Sequence, residues 1–558
     1  MPRLPRLLDA LRGLPLPLLV ATTVVVGYAA FNVGELSPDP ETRYLVAESI
    51  VRDGDLAIDP NGLTAAADDG THYSVFFPGQ SILFLPVAGT IELGRAVLGG
   101  DPALWTRLGD FACAMLVIPL VAALAVLGHV ALLRTLGLGE RAACASAMVL
   151  AFATAQLVWG TAGSEEVVLG AAAAWAFLLG LQAIRRLPEL DGRAGPDATV
   201  PRRAIVHGLG LGGVLIAFGL AHRGTAIAAA LGFVVLTVPA LLRHRRHLGP
   251  IVLGLAPWFG LACIVVGLVP LYNLARFGDP LDTGYGRFYG EMGGLWATPL
   301  LEGLGGHLVS PGKSVFLYTP WLLLAVPAVA SARVRRTLGP LGPAIAVATL
   351  VHLLLYSKTT FWAGAFGFGI RFHVCMLPLW LVPIAVWWWG PARERTAAAA
   401  RAGRPLLAAV ISLAAVSGAV QVLGLALNTG YEYLADRTAY DAEESRIPRA
   451  AAWDPSRSPL LIRTDAVLRR AAGEDILPPG EPESKRIQAE WNVFPVRAAI
   501  MLGEGGRTRA LFALWGVLLV ATAALMVTAA IRLRPSAGAA GGSPDPGAVA
   551  GYARPGDG

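Results

Sequence analysis

Apolar runs of helix length recur along this chain, and nothing else constrains its fold as strongly. Stretches at 14–34, 105–132, 142–160, 166–184, 204–221, 225–242, 249–273, 315–332, 341–357, 370–390, 405–427 and 509–531 are each dominated by apolar residues. A helix rises about 1.5 Å per residue, so about twenty residues cross the ~30 Å hydrocarbon core of a bilayer. Such runs are too long for the alternating strands of a membrane barrel. Charged residues make up 15% of the chain, well under the roughly 25% of soluble domains. The expectation is an all-α integral membrane protein with a bundle of about 12 transmembrane helices.

Basic residues set the orientation. Arg3, Arg6 and Arg12 precede the first run, which lacks a small-residue cleavage site and reads as an uncleaved signal-anchor. Residues 79–98 are apolar but interrupted by Pro86 and Gly89. Were they to cross, every later arginine-rich loop would face outward. Lying in the interface, they leave the clusters at Arg134/Arg141, Arg185/Arg186, Arg243–His247, Arg333–Arg336, Arg393–Arg404 and Arg532/Arg534 on the inner side, as the positive-inside rule requires. A second juxtamembrane helix is expected at 41–53, where apolar residues recur at helical spacing. The chain then divides into a transmembrane domain (1–427, with a first outer loop at 35–104), an external cap segment (428–507), a last transmembrane helix (508–533) and a tail (534–558). Trp453, Trp491 and Phe494 are the cap's expected packing anchors. The tail's Ala/Gly/Pro/Ser composition cannot form a core.

Several function classes drop out. Cys113, Cys144, Cys263 and Cys375 lie in or beside apolar runs without CxxC spacing, which excludes a disulfide framework and a zinc site. The net charge of +6 resides in short loops between spans, a topological signal rather than a nucleic-acid footprint. No Walker sequence and no GxGxxG after a strand is present, so ATP-driven transport and a Rossmann-bound nucleotide-sugar donor are not supported.

The outer loop from Phe31 to Gly79 is acidic, with Glu35, Asp39, Glu41, Glu48, Asp53, Asp55, Asp59, Asp68 and Asp69 against Arg43 and Arg52. Pro38 and Pro40 flank Asp39 and restrict its backbone. Asp39 reads equally as a helix cap and as a catalytic carboxylate. Glu41 suits the positive end of that helix first and serves as a reserve carboxylate second. Glu165 and Glu166, after Ser164, read as an acidic first turn or as cleft groups, the structural role weighing more on Glu166. Arg223, between two spans with almost no loop, reads as a snorkelling residue or a ligand. Lys313 in Ser310-Pro311-Gly312-Lys313-Ser314 places an ammonium beside backbone amides at a helix start, a ready anion site. Arg371 closes a run containing Trp362, Gly364, Phe366, Gly367 and Gly369, where glycines permit close backbone approach and aromatics can stack on a sugar. His373 reads as a packing residue. Carboxylates facing fixed cations suit transfer of a group from phosphate to a hydroxyl, one side taking the proton and the other stabilising the leaving phosphate.

Taken in order, Asp39-Pro-Glu-Thr-Arg-Tyr44, Tyr73-Ser74 to Pro78-Gly79, Ser164-Glu165, Tyr272-Asn273 to Gly284-Tyr285, Ser310 to Ser314 and Trp362 to Phe372 resemble signatures of the GT-C superfamily. The likeness is to polyprenyl-phosphate-sugar glycosyltransferases, especially bacterial relatives of protein O-mannosyltransferases and lipid A aminoarabinose transferases, over about 14–391. It implies a GT-C-type bundle with two juxtamembrane helices in the first outer loop. It also implies inverting transfer of a sugar such as mannose or arabinose, on the outer face of the cytoplasmic membrane, to a glycan, lipid or protein acceptor. By that resemblance Asp39 is the general base with Glu41 in reserve, Glu165 is a second polar contact, and Arg223, Lys313 and Arg371 bind the lipid phosphate. Tyr285, Trp362 and His72 complete the substrate contacts. No metal is required, although Asp39 with Glu165 could hold a divalent ion. One departure is Phe76-Phe77, where relatives often carry a lysine. The rival reading is a transporter or lipid flippase, which predicts inverted repeats with broken helices near the midplane; the sequence shows no such halves.

Overall fold

Helix follows the apolar runs almost throughout, and breaks where side-chain hydroxyls or prolines intervene. The computed structural model describes residues 13–191, 199–290, 294–364, 367–390, 403–428, 430–435, 452–502 and 506–534. Phe366, the arginines at 393–401 and the tail from 535 lie outside them. The principal helices are α1 (Leu16–Phe31), α2 (Pro38–Arg52), α3 (Gly79–Leu98), α4 (Pro102–Thr135), α5 (Glu140–Phe152), α6 (Gln156–Thr161), α7 (Glu165–Arg185), α8 (Thr199–His222), α9 (Ile227–Arg243), α10 (Leu248–Phe277), α11 (Leu341–Lys358), α12 (Arg371–Trp389), α13 (Gly403–Ala426) and α14 (Gly506–Leu533). One antiparallel ribbon, β1 (Thr64–Ala66) with β2 (His72–Ser74), is the only sheet among the described residues.

The protein is all-α. Among the described residues ten helices are long and apolar enough to cross a bilayer, while α1 and Pro320–Ala330 are shorter apolar helices. Expected span 142–160 is divided into α5 and α6. There the Thr154 hydroxyl donates to Leu150 O at 2.6 Å and accepts from Gln156 N–H at 3.2 Å, so the side chain supplants the regular ladder. The eighth expected span, 315–332, is likewise divided, at Thr319-Pro320, because proline has no N–H to continue the first helix. Helix α4 holds a π turn at Cys113–Val117, just before Pro119. The 79–98 segment, expected in the interface, is one of the ten by length and composition; it packs on α2 and α4.

Helix α7 is the hub, buried along most of its length and packed on α4, α8, α9 and α12. Its small residues allow this approach. A side chain at Gly180 would meet the Phe233 ring at 2.7 Å, and one at Gly170 the Cys375 backbone at 3.3 Å. The arginine-rich helix ends are tied to one another. Arg141 donates to Arg534 O at 3.3 Å, Arg333 to Val386 O at 3.2 Å, Arg246 to Asp191 at 3.1 Å, and Arg185 and Arg532 to Thr135 O and Leu14 O.

The segment after α13 is latched to the bundle through Arg463, on the helix Pro459–Ala471. Its guanidinium pairs with Glu432 at 2.6 Å and donates to Gly424 O, Leu427 O and Asn428 O at 2.6–3.0 Å. It thereby satisfies carbonyls that the end of α13 leaves open. Of the three expected anchors, Phe494 is buried, its ring edge 6.3 Å from Phe111 and its N–H on Asn32 O. Trp491 is partly buried and Trp453 is 38% exposed.

Arg463→Ala leaves Glu432 buried and unpaired, which costs on the order of 3–5 kcal/mol. The expected readout is a lowered thermal midpoint in detergent, with proteolytic cleavage of 452–502 preceding loss of the bundle. The Arg463→Met/Glu432→Leu pair should recover much of the loss. An unchanged midpoint in Arg463→Ala would refute the latch.

Candidate active site

Ser37 precedes α2 and donates its N–H to Ala162 O at 3.0 Å. Pro38 takes the first helical position, where its missing N–H is harmless. The helix thus starts three residues before the 41–53 expected from the sequence. Asp39 lies inside the first turn, not at the cap, and Ser37 makes no side-chain cap bond. Of the two readings of Asp39, capping is excluded.

The Asp39 carboxylate pairs with Arg371, 332 residues away. Arg371 Nε lies 3.6 Å from Glu166 Oε1. That oxygen accepts from Arg223 Nη1 at 2.7 Å, and the same nitrogen reaches Glu165 Oε1 at 2.8 Å. Glu165 Oε2 in turn stands 2.7 Å from Arg43 Nη2. The result is a chain of alternating charge, Asp39–Arg371–Glu166–Arg223–Glu165–Arg43, assembled from the first turn of α2, the N-terminus of α7, the α8–α9 turn and the start of α12. Arg43, Glu165 and Glu166 are fully buried, while Arg371, Arg223 and Asp39 keep 11%, 18% and 20% side-chain exposure. The cluster is therefore closed on one side and open on the other.

Aromatic rings carry the guanidinium groups. Arg43 lies 3.9 Å over Phe76, Arg223 4.6 Å over Phe372 and 5.6 Å over Tyr356, and Arg371 5.5 Å over Trp159. Cation–π contact stabilises the charge without consuming N–H donors. Arg43 accordingly keeps N–H groups with no acceptor among the described residues. The Trp159 indole donates to Phe368 O at 3.2 Å. A side chain at Gly367 would come within 2.3 Å of that ring, and Gly369 adopts φ +74°, which explains the glycines before Arg371. Arg276 belongs to the scaffold: it grips Ser74 O, Phe76 O and Asn273 Oδ1 and stacks 3.9 Å over Tyr272. In this way it fixes the Phe76 loop.

Burial works to raise the pKa of Asp39, but Arg371, Arg43 and Arg223 together outweigh it and hold the group below its ordinary 3.8. Asp39 is ionised at neutral pH. Tyr285 stands with its ring edge toward Phe76 and Phe77. Burial raises its pKa, and Arg223, Glu165, Arg43 and Asp39 all act on it. Lys313 donates to Gly367 O, and burial lowers its pKa to about 8. It lines a narrow cleft of about 10 Å³ with Arg371, His307 and Trp362, whose ring lies edge-on to His307 with centroids 5.6 Å apart. His373 lies in a buried string, 3.0 Å from His352 and 2.9 Å from His307.

The structure thus brings together Asp39, Glu165, Arg223 and Arg371, with Tyr285 in their field and Lys313 and Trp362 bordering the pocket at Arg371. Two expected members stand apart. Glu41 is two residues from Asp39, and such positions do not share a helix face; it lines a separate pocket with Ser37, Pro38 and Arg497. Burial and Glu35 raise its pKa. His72 stays on the ribbon, 3.5 Å from Thr64 Oγ1, with no contact to the ion chain among the described residues. Glu166, read mainly as a first-turn residue, joins the chain, and the unexpected member is Arg43. Arg43 was readable, since four residues separate it from Asp39 on the same helix. Asp39 and Glu165, which could have held a divalent ion, are both engaged by arginines, and no metal-competent group of three His, Cys, Asp or Glu occurs among the described residues.

No family model matches this chain, and no curated protein does. Among solved structures it is similar to the oligosaccharyltransferase of Archaeoglobus fulgidus. The apo form aligns with a TM-score of 0.43 at 13% identity, over 72% of this chain and 56% of that one. The form with zinc and sulfate aligns with a TM-score of 0.45 at 13% identity, over 77% and 56%. The archaeal enzyme AglB from the same organism, with an inhibitory peptide and dolichol-phosphate, gives 0.39 at 11% identity, over 72% and 55%. The present chain spans just over half the length of these proteins.

Arg43→Gln should lower stability by less than the ~3–5 kcal/mol of stranding a buried charge, because Glu165 loses one fully buried partner but keeps Arg223. In Arg43→Gln/Glu165→Gln the loss should be smaller than the sum of the single losses. A thermal-unfolding cycle in detergent reads this directly; strict additivity would show that the two groups do not interact.

Proposed function

We propose that this protein is a membrane glycosyltransferase that moves a sugar from a polyprenyl-phosphate carrier to an acceptor hydroxyl on the outer face of the cytoplasmic membrane. The observation that carries the reading is the Asp39–Arg371 pair within the ion chain: one ionised, partly exposed carboxylate beside three guanidinium groups, on helix ends opposite the arginine-rich termini. The lipid phosphate would bind at Arg371 and Arg223, with the buried Arg43 holding Glu165 behind them, Lys313 adding charge from the neighbouring cleft, and Tyr285 and Trp362 bordering the sugar. Planar guanidinium forks suit phosphate oxygens.

In the step itself, the acceptor oxygen attacks the anomeric carbon from the face opposite the phosphate. The C1–O bond to phosphate breaks, its electron pair leaves with polyprenyl phosphate, and the acceptor proton passes to Asp39. The configuration inverts. Arginine pairing makes Asp39 a weak base in the substrate-free protein. Arrival of phosphate neutralises Arg371 and Arg223, and that removes the influence holding the Asp39 pKa down. Binding therefore makes the base stronger at the moment it is needed. Glu165 and Glu166 position the arginines and take no proton from substrate.

Asp39→Asn should lower kcat by about 10²–10⁴-fold, while polyprenyl phosphate binds at least as tightly, because Arg371 is released from its carboxylate. Retained turnover, or lost lipid binding, would overturn the assignment. The pH profile follows from the same pairing. Asp39 is depressed below 3.8 in the free protein, so kcat/KM should stay level from neutrality to that value and fall below it. The limb of kcat should lie at higher pH. The pair's stabilisation is full above the ordinary carboxylate pKa and lost as pH falls through the depressed one. Lys313, charged below about 8, should make polyprenyl phosphate binding weaken as pH rises through that value. Lys313→Met should flatten the alkaline dependence, and an unaltered profile would remove Lys313 from the phosphate ligands.

A further inference from the structure

A second polar cavity lies on the other side of the first turn of α2. It has a volume of about 230 Å³ and is lined by Ser37, Glu41, Asn428, Gln488, Asn492 and Arg497 among others. Two buried polar atoms in its wall, Arg497 Nε and Asn492 Oδ1, have no partner among the described residues. Arg497 is 8% exposed and pairs through its Nη1 with Glu35, which also lines the cavity. Unpaired buried donors and acceptors cost stability unless a ligand or water completes them.

The cavity and the ion chain share two walls. Ser37 and Pro38, which immediately precede Asp39, line it, and so do Val158 and Thr161 of α6. Trp159, between those two, lies under Arg371. Its remaining wall comes from the outer segment, by Gln488, Asn492 and Arg497. A molecule held here abuts the turn that carries the base, on a different side from the arginine cluster.

We infer that this cavity is the acceptor subsite and that its ligand is an uncharged polyhydroxylated glycan. The assignment rests on the transferase reading above and names its acceptor class. Carboxylate, carboxamide and guanidinium groups present paired donors and acceptors that match vicinal hydroxyls. Glu35 and Glu41 against the single Arg497 leave the wall net negative, which disfavours a phosphorylated or carboxylated acceptor. Val33, Leu36, Val158 and Leu425 add apolar wall, but charged and amide groups interrupt it on every side, which disfavours a lipid tail. Glu41, set aside as a base by its orientation, becomes a specificity residue.

The experiment uses the full chain in a strain lacking it, with envelope glycan linkages as one readout and thermal stabilisation of the purified protein by undecaprenyl phosphate as the other. The wild type restores the glycan and is stabilised by the lipid; failure of both overturns the transferase reading and this subsite with it. Gln488→Trp, which fills the cavity, should abolish the glycan product. Asn492→Ala, which removes one hydrogen-bonding group, should lower it about fivefold. Both variants should retain the wild-type shift with undecaprenyl phosphate. Wild-type glycan levels in both variants would overturn the subsite, as would loss of lipid stabilisation in both. Recovery of the transferred sugar on protein hydroxyls or on an anionic polymer would overturn the ligand class.

Discussion

The alternation of charge from Asp39 to Arg43 is the constraint around which the bundle closes. Buried ions are tolerated only when each has an opposite neighbour at close range. Here Glu165 and Glu166 bridge Arg43, Arg223 and Arg371, and withdrawing any member leaves its neighbours with one partner fewer. Four helix ends must therefore meet at one place: α2, α7, the α8–α9 turn and α12. The small residues of α7 let the helices approach, but hydrophobic packing alone is non-directional and leaves their rotation open. The ion pairs fix it, since each guanidinium has one geometry in which it reaches its carboxylate and keeps its aromatic shelf.

The same constraint explains how the site can be both stable and receptive. Three carboxylates balance three arginines in the substrate-free protein, so the cluster carries little net field. Its inner half, Arg43–Glu165–Glu166, is sealed from solvent, and its outer half, Asp39–Arg371 with Arg223, is partly open. On the proposed reading, a phosphate exchanges with Asp39 at the open end while the closed end holds the arginines in place. Binding energy would then go into displacing a carboxylate that becomes a better base through being displaced. That coupling would be lost if a neutral residue held Arg371.

Much of this was legible in the residues, and the rest was hidden for physical reasons. Helix periodicity and basic loops located the apolar helices, because length and charge are local properties. The two divided spans were missed because Thr154 and Pro320 act through individual hydrogen bonds that hydropathy does not register. Asp39 was visible between its prolines, and Arg371 behind its glycines. Their pairing was not readable, since nothing local connects residues 332 positions apart. Glu41 and His72 were grouped with the site through the family resemblance, yet the helix turn and the ribbon place them elsewhere. Phe76-Phe77, an anomaly in the sequence, makes sense once Arg43 is seen lying on Phe76: the cation comes from α2 and the loop supplies its platform.

The outer segment has a distinct place in this arrangement. Arg463 fastens it to the end of α13, and Phe494 fastens it to Phe111 and Asn32 beside the first loop. Those two anchors hold Gln488, Asn492 and Arg497 over the first turn of α2 without contributing to the ion chain. On the proposed reading, the donor side is fixed by charges buried in the bundle, where removing an arginine deprives a buried carboxylate of a partner. The other cavity combines the Glu35–Arg497 pair, Glu41 and amide groups, and this segment supplies Gln488, Asn492 and Arg497 to it. Changes in those three side chains leave the buried pairs of the ion chain intact, so acceptor contacts would be separable from donor contacts.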